Sequence, residues 1–295
     1  MDLQVNTFLG KIVKVHKNWR ENRLLMLHKL EDLTPKKIVL FGVGVLTLFY
    51  FLIVLVDLFN IFNLRSVFSD FTFPFLWDYL FVERGPVEIL QWLSLGFFAI
   101  TSGFVAGKLS DRGRVKESIF WSLMALTGVI MVMEDAGNMR HFFLRESFPI
   151  NFVLTNQLET LYFITIAAIP LSAIFIYGKH VKHSKKTLKL LVLAVVFYGF
   201  AGFISGPADL TSINYHIGNA IYETHVFIGG EELRELYEQT DEEILELEEE
   251  QGIRWEDVRY RMKDTIVEES SEYLGATMFF AAAVSYLNLL KKEES

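Results

Sequence analysis

KIVLFGVGVLTLFYFLIVLVDLFN, residues 37–60, is the stretch on which the fold turns. It is uncharged from Ile38 to Val56, and at helical rise a run of this kind covers the roughly 30 Å of a bilayer's hydrocarbon core. Further apolar runs follow at 86–107, 117–137, 158–177, 187–206 and 271–290. The third is the shortest, because its clean apolar part ends at Met133, before Glu134 and Asp135. Together they predict an all-α fold, a polytopic membrane helix bundle of about six transmembrane helices.

Composition agrees. Of 295 residues, 52% are hydrophobic and 27 are Phe, too apolar a mixture for an ordinary soluble domain of this length. The chain has no cysteine, which excludes disulfides, thiolate-zinc sites, iron-sulfur clusters and cysteine nucleophiles. The first twenty residues lack an apolar core with a small-residue cleavage site, so the amino terminus is expected to be retained.

The net charge of -8 conceals two opposite surfaces. Residues 1–37 carry eight Lys/Arg against four acidic residues, KLSDRGRVKE four against two, and GKHVKHSKKTLK five against none. The longest connection, 207–272, holds nineteen Asp/Glu against five Lys/Arg. Basic connections stay on the cytoplasmic side, so both termini are expected inside and the acidic connection outside, in a multi-pass protein of the cell membrane.

Four regions follow. Residues 1–36 place Phe8, Ile12, Val15 and Trp19 at helical spacing among lysines, which suits an amphipathic helix on the anionic inner leaflet or one packed on the protein itself. Residues 37–206 form five spans, with an aromatic outer loop at 61–85 interrupted by Pro74. Residues 207–270 read as an acidic extracytoplasmic helical cap with too few apolar residues for its own core. Residues 271–295 are the last span and a cytoplasmic tail. From Trp255 a helical pattern runs into that span without a breaker.

The chemistry gathers at the outer ends of the spans, where an intramembrane carboxylate costs about 2.5–3.5 kcal/mol on insertion scales. Glu88 and Gln91 lie in the first turns of the second span, which Pro86 is suited to start. After the third span, Glu134, Asn138 and His141 share one helical face, with Asp135 and Arg140 beside them. Gln157 and Glu159 open the fourth span. His216, Asn219 and Glu223 follow the fifth, and Glu269 and Glu272 lead into the last. Carboxylate, imidazole and amide groups at one depth form a ligand set for a divalent metal cation, with Ca, Mn, Fe and Zn all conceivable. The structural alternative makes these groups helix caps and first-turn acids, with arginine partners. That alternative accounts for Glu88, Glu159 and Glu272 better than for Glu134, which meets the unfavourable end of a helix dipole.

The segments E-R-G-P-V-E at 83–88, M-E-D-x-x-N-x-R at 133–140 and N-Q-x-E at 156–159 loosely resemble uncharacterised prokaryotic polytopic membrane proteins. The resemblance covers about residues 83–160 and implies no activity.

Three functions compete. The first is an outward-facing cation site for transport or gating, in a monomer or homo-oligomer. The second is a metal-dependent membrane enzyme acting on a lipid or other amphiphile at the outer interface. The third is a structural or signalling subunit whose acidic cap binds an extracytoplasmic protein. Membrane lipids are partners in each, and nucleic acid in none.

Overall fold

The computed structural model describes residues 33–68, 71–137, 161, 164–204, 211–251 and 257–294. Among these every regular element is helical, with no strand. The amphipathic amino-terminal helix expected at 1–36 lies almost entirely outside the described residues.

Helix α1 is Pro35–Ile53, started by Thr34, whose side chain accepts from Lys37 N, and continued by a π-turn at Val54–Leu58. The aromatic loop expected at 61–85 folds into 3-10 turns at Ile61–Phe68 and a short helix, α2, Leu76–Phe81. Helix α3, Pro86–Asp111, begins at Gly85-Pro86, where a side chain on Gly85 would stand 2.6 Å from the Val82 carbonyl oxygen. That close approach explains the Gly in E-R-G-P-V-E. Helices α4 (Val115–Gly137), α5 (Ile164–Val181), α6 (Lys185–Ile204), α7 (Thr211–Gly229) and α8 (Glu231–Gln251) follow.

The last helix, α9, runs from Val258 to Glu294 with a π-turn at Lys263–Glu268. Asp257 starts it by accepting from Tyr260 N at 2.7 Å. The helical pattern expected to run into the last span is present from Val258; Trp255 lies outside the described residues. Six helices, α1, the α2–α3 stretch, α4, α5, α6 and α9, are long and apolar enough to cross a membrane.

Helix α9 is the hub. It packs against α1, α3 and α6, while α4 packs on α3 and α5 on α4. Its sequence suits the position: Gly275, Ala276, Ala281, Ala282, Ala283 and Ser285 are all buried, and small side chains let neighbouring helices close in.

The α3–α9 contact is a parallel seam. On α3 the buried positions Gln91, Leu95, Phe98, Ser102, Val105 and Leu109 alternate four and three residues apart, and Ala276, Phe279, Ala283, Tyr286 and Leu290 do the same on α9. This is the spacing of knobs-into-holes packing. Phe98 stacks on Phe279 with centroids 4.9 Å apart, and Phe97 on Phe280 at 5.5 Å. Both helices thus run from one end of the bundle, rich in carboxylates, toward the other, rich in cations.

At the basic end, Arg114 pairs with Glu117 and Glu293, Arg112 pairs with Glu293 and Glu294, and Tyr286 donates to Glu117. This network ties the α3–α4 turn to the end of α9. At the acidic end, the cap shares its core with the aromatic loop: Tyr222, Val226, Leu233, Tyr237 and Ile244 pack with Phe73, Phe75, Trp77 and Phe81. The cap does not need a core of its own, because the loop supplies one.

Candidate functional site

Gln91 sits at the top of the α3–α9 seam with no exposed surface. Its Nε2 donates to Asp135 Oδ2 on α4 and to Glu272 Oε2 on α9, each at 2.8 Å. One amide therefore holds two carboxylates from two other helices. Helix α6 contributes Tyr198, whose buried hydroxyl acts with Gln91, Asp135, Glu272 and Glu269. Gly275 makes room for that ring, since a Cβ there would stand 2.5 Å from Tyr198 Cδ2.

Asp135 is acted on by Glu272, Glu88 and Glu134, and Glu269 by Glu272, Glu88, Asp135 and Glu83. The charges that these groups feel most strongly are thus carboxylates. Three buried polar atoms at this place, Gln91 Oε1, Glu269 Oε2 and the Tyr198 hydroxyl, complete no hydrogen bond of ordinary geometry. Buried polar atoms are satisfied in the great majority of cases, and three of those that are not lie around this one amide.

The π-turn has a consequence here. Because α9 begins at Val258, Glu269 and Glu272 lie several turns inside a helix and gain little from its dipole, which acts within the first turn. The first-turn explanation for Glu272 therefore fails. It holds for Glu88, which reaches back to accept from Arg84 N just ahead of α3. Glu88 is a capping residue at the edge of the cluster.

The structure brings together Glu88, Gln91, Asp135, Glu269 and Glu272, and Glu134 lies next to them. It is Asp135, and not Glu134, that Gln91 engages. His216 and Glu223 are exposed on α7, with Asn219 half-buried between them. Asn138, Arg140, His141, Gln157 and Glu159 lie outside the described residues. Among the described residues, no three of His, Asp and Glu are arranged to hold a metal ion.

Sequence reasoning missed Tyr198 and Asp57. Asp57 is fully buried in the π-turn that ends α1 and accepts from Leu76 N and Trp77 N at 2.8 Å each. It fixes the start of α2, while Arg65 donates to its backbone carbonyl at 2.6 Å. A lone acid closing an apolar run was the available signal. Lys263, 1% exposed, donates to the Ile204 carbonyl at 3.1 Å, meeting the end of α6. In the cap, His225 Nδ1 lies 3.0 Å from the Tyr237 hydroxyl, and burial pushes its imidazole down to about 4.

Compared with known proteins, the chain matches no family, no curated protein and no solved structure.

Proposed function

We propose that the chain is a multi-pass membrane protein that captures a divalent cation at the acidic, outward end of its bundle. The Gln91 amide carries this reading: its Nε2 lies between two carboxylates while its buried Oε1 has no partner. As it stands, the amide presents its donors to Asp135 and Glu272. Turning the amide over would aim Oε1 at the same space, and a cation would then replace the N–H groups as the positive partner of both carboxylates. That exchange accounts for carboxylates arranged around a donor instead of a metal.

The groups that converge are all oxygens: Asp135, Glu269, Glu272, Gln91 Oε1 and the Tyr198 hydroxyl. Such a set favours a hard ion, Ca or Mn, over Zn or Fe. A cation would also offset the mutual repulsion of the acids. The stacked Phe98–Phe279 pair lies one heptad below and fills the α3–α9 seam. This supports capture or gating at one face over conduction along that seam.

The test is thermal unfolding of the purified protein in detergent, with Ca2+, Mn2+ or Mg2+ and with chelator. Ca2+ or Mn2+ should raise the Tm, and Asp135→Asn with Glu272→Gln should abolish that rise. A wild-type Tm indifferent to all three ions would refute the proposal.

A further inference from the structure

Two segments far apart in sequence meet at the acidic end of α1 and leave a patch of large apolar side chains uncovered. Phe62 is 92% exposed and Phe227 89%, with Phe59, Val67 and Phe71 each more than half exposed. They belong together in space. Helix α7 packs against the π-turn that ends α1, and Arg65 pairs with Glu232 at 3.3 Å, just past the carboxyl end of α7. Phe71 completes a triangle of rings with Phe68 and Tyr79, centroids 5.9–6.2 Å apart.

The patch continues an exposed apolar side of α1, where Leu48 is 53% and Phe51 56% exposed, toward the aromatic loop. It ends abruptly at charge: from Glu231 onward the outer side of α8 carries Glu231, Glu232, Glu235 and Glu238, all exposed. An apolar surface of this extent rimmed by charge marks an interaction site. Its aromatic character and its place at the end of a span are those of side chains at a membrane boundary.

We infer that Phe59, Phe62, Val67, Phe71 and Phe227 dip into the outer leaflet, so that the aromatic loop and the end of α7 are an interfacial lipid anchor while α8 stands in water. The anchor rests on the membrane reading above. It lies further out than Gln91, since Tyr50 meets Ser270 at 2.8 Å beside the Glu272 level and α1 runs on from there to Leu58.

Because the chain contains no cysteine, single cysteines can be introduced without background. Phe62→Cys and Phe227→Cys would carry a spin label in phosphatidylcholine/phosphatidylglycerol liposomes, with Leu48→Cys and Glu238→Cys as hydrocarbon and water references. Collision with oxygen and with a water-soluble nickel chelate reports depth. The anchor predicts oxygen-dominated collisions at residues 62 and 227, shallower than at 48, and nickel-dominated collisions at 238. Nickel-dominated collisions at 62 and 227, with 48 still in lipid, would overturn the anchor alone. Labels at 62 and 227 shielded from both reagents would overturn it in favour of a protein partner or a second copy. Nickel-dominated collisions at 48 would overturn the membrane reading and the anchor with it.

Discussion

Gln91 Nε2 donates to Glu272 Oε2 at 2.8 Å, and seven residues along each helix Phe98 stacks on Phe279. The polar contact and the aromatic contact are thus two layers of one parallel seam. A single polar residue in such a seam sets register at some expense in stability. Here it also presents its amide to a second carboxylate, Asp135, which register alone does not require.

Gln91→Leu leaves two carboxylates without their shared donor and should destabilise the protein by about 2–4 kcal/mol. Gln91→Glu adds a further acid and should destabilise it more in chelator, with part of the loss recovered in Ca2+. Chemical unfolding in detergent, with and without the ion, separates the two. A Gln91→Glu protein that Ca2+ does not restore would leave Gln91 with the register role only.

Gly275 and Tyr198 should behave as a coupled pair. Gly275→Ala forces a methyl into the Tyr198 ring and should cost about 1–3 kcal/mol, whereas the same substitution in a Tyr198→Ala background should cost little. A double-mutant cycle showing additive losses would contradict the close approach.

How much of this was legible beforehand follows from what each signal encodes. The six apolar runs and the unbroken length of α9 were readable because composition, and the absence of proline between Val258 and Glu294, act locally. Which of two adjacent acids turns inward was not. Glu134 and Asp135 differ by about 100° of helical phase, and only packing against α3 selects Asp135. The same uncertainty placed His216 among the ligands, though α7 buries Gly218, Tyr222 and Val226 and turns His216 outward. Tyr198 was invisible because a tyrosine in an apolar span looks like any aromatic until Gly275 shows the gap it fills.

Asp57 should matter to folding more than to the site. Asp57→Ala removes the acceptor of two backbone N–H groups at the start of α2 and should cost about 2–3 kcal/mol, with Asp57→Asn intermediate. Proteolysis between residues 61 and 81 should accelerate accordingly. Equal protection of wild type and Asp57→Ala would refute the pinning role.

Acid should loosen the cap. The His225 imidazole protonates near 6.5 when unfolded but only at about 4 when folded, so between these values the unfolded state binds more protons and stability falls as pH falls. The loss is absent above pH 6.5 and complete below pH 4, at up to about 3 kcal/mol. Asp241 opposes it, because burial raises its carboxyl and the folded state takes up that proton first. Protection factors of α7 and α8 amides should therefore fall from pH 7 to 5 in wild type and less in His225→Gln. Identical pH profiles would show that His225 does not govern the cap.

The most direct measurement is the metal content of the purified protein after equilibration with Ca2+ or Mn2+ and removal of free ion, taken by elemental analysis beside an Asp135→Asn/Glu269→Gln/Glu272→Gln variant. The account predicts about one ion per chain in the wild type and none in the variant. Equal metal in both, or none in either, would contradict it.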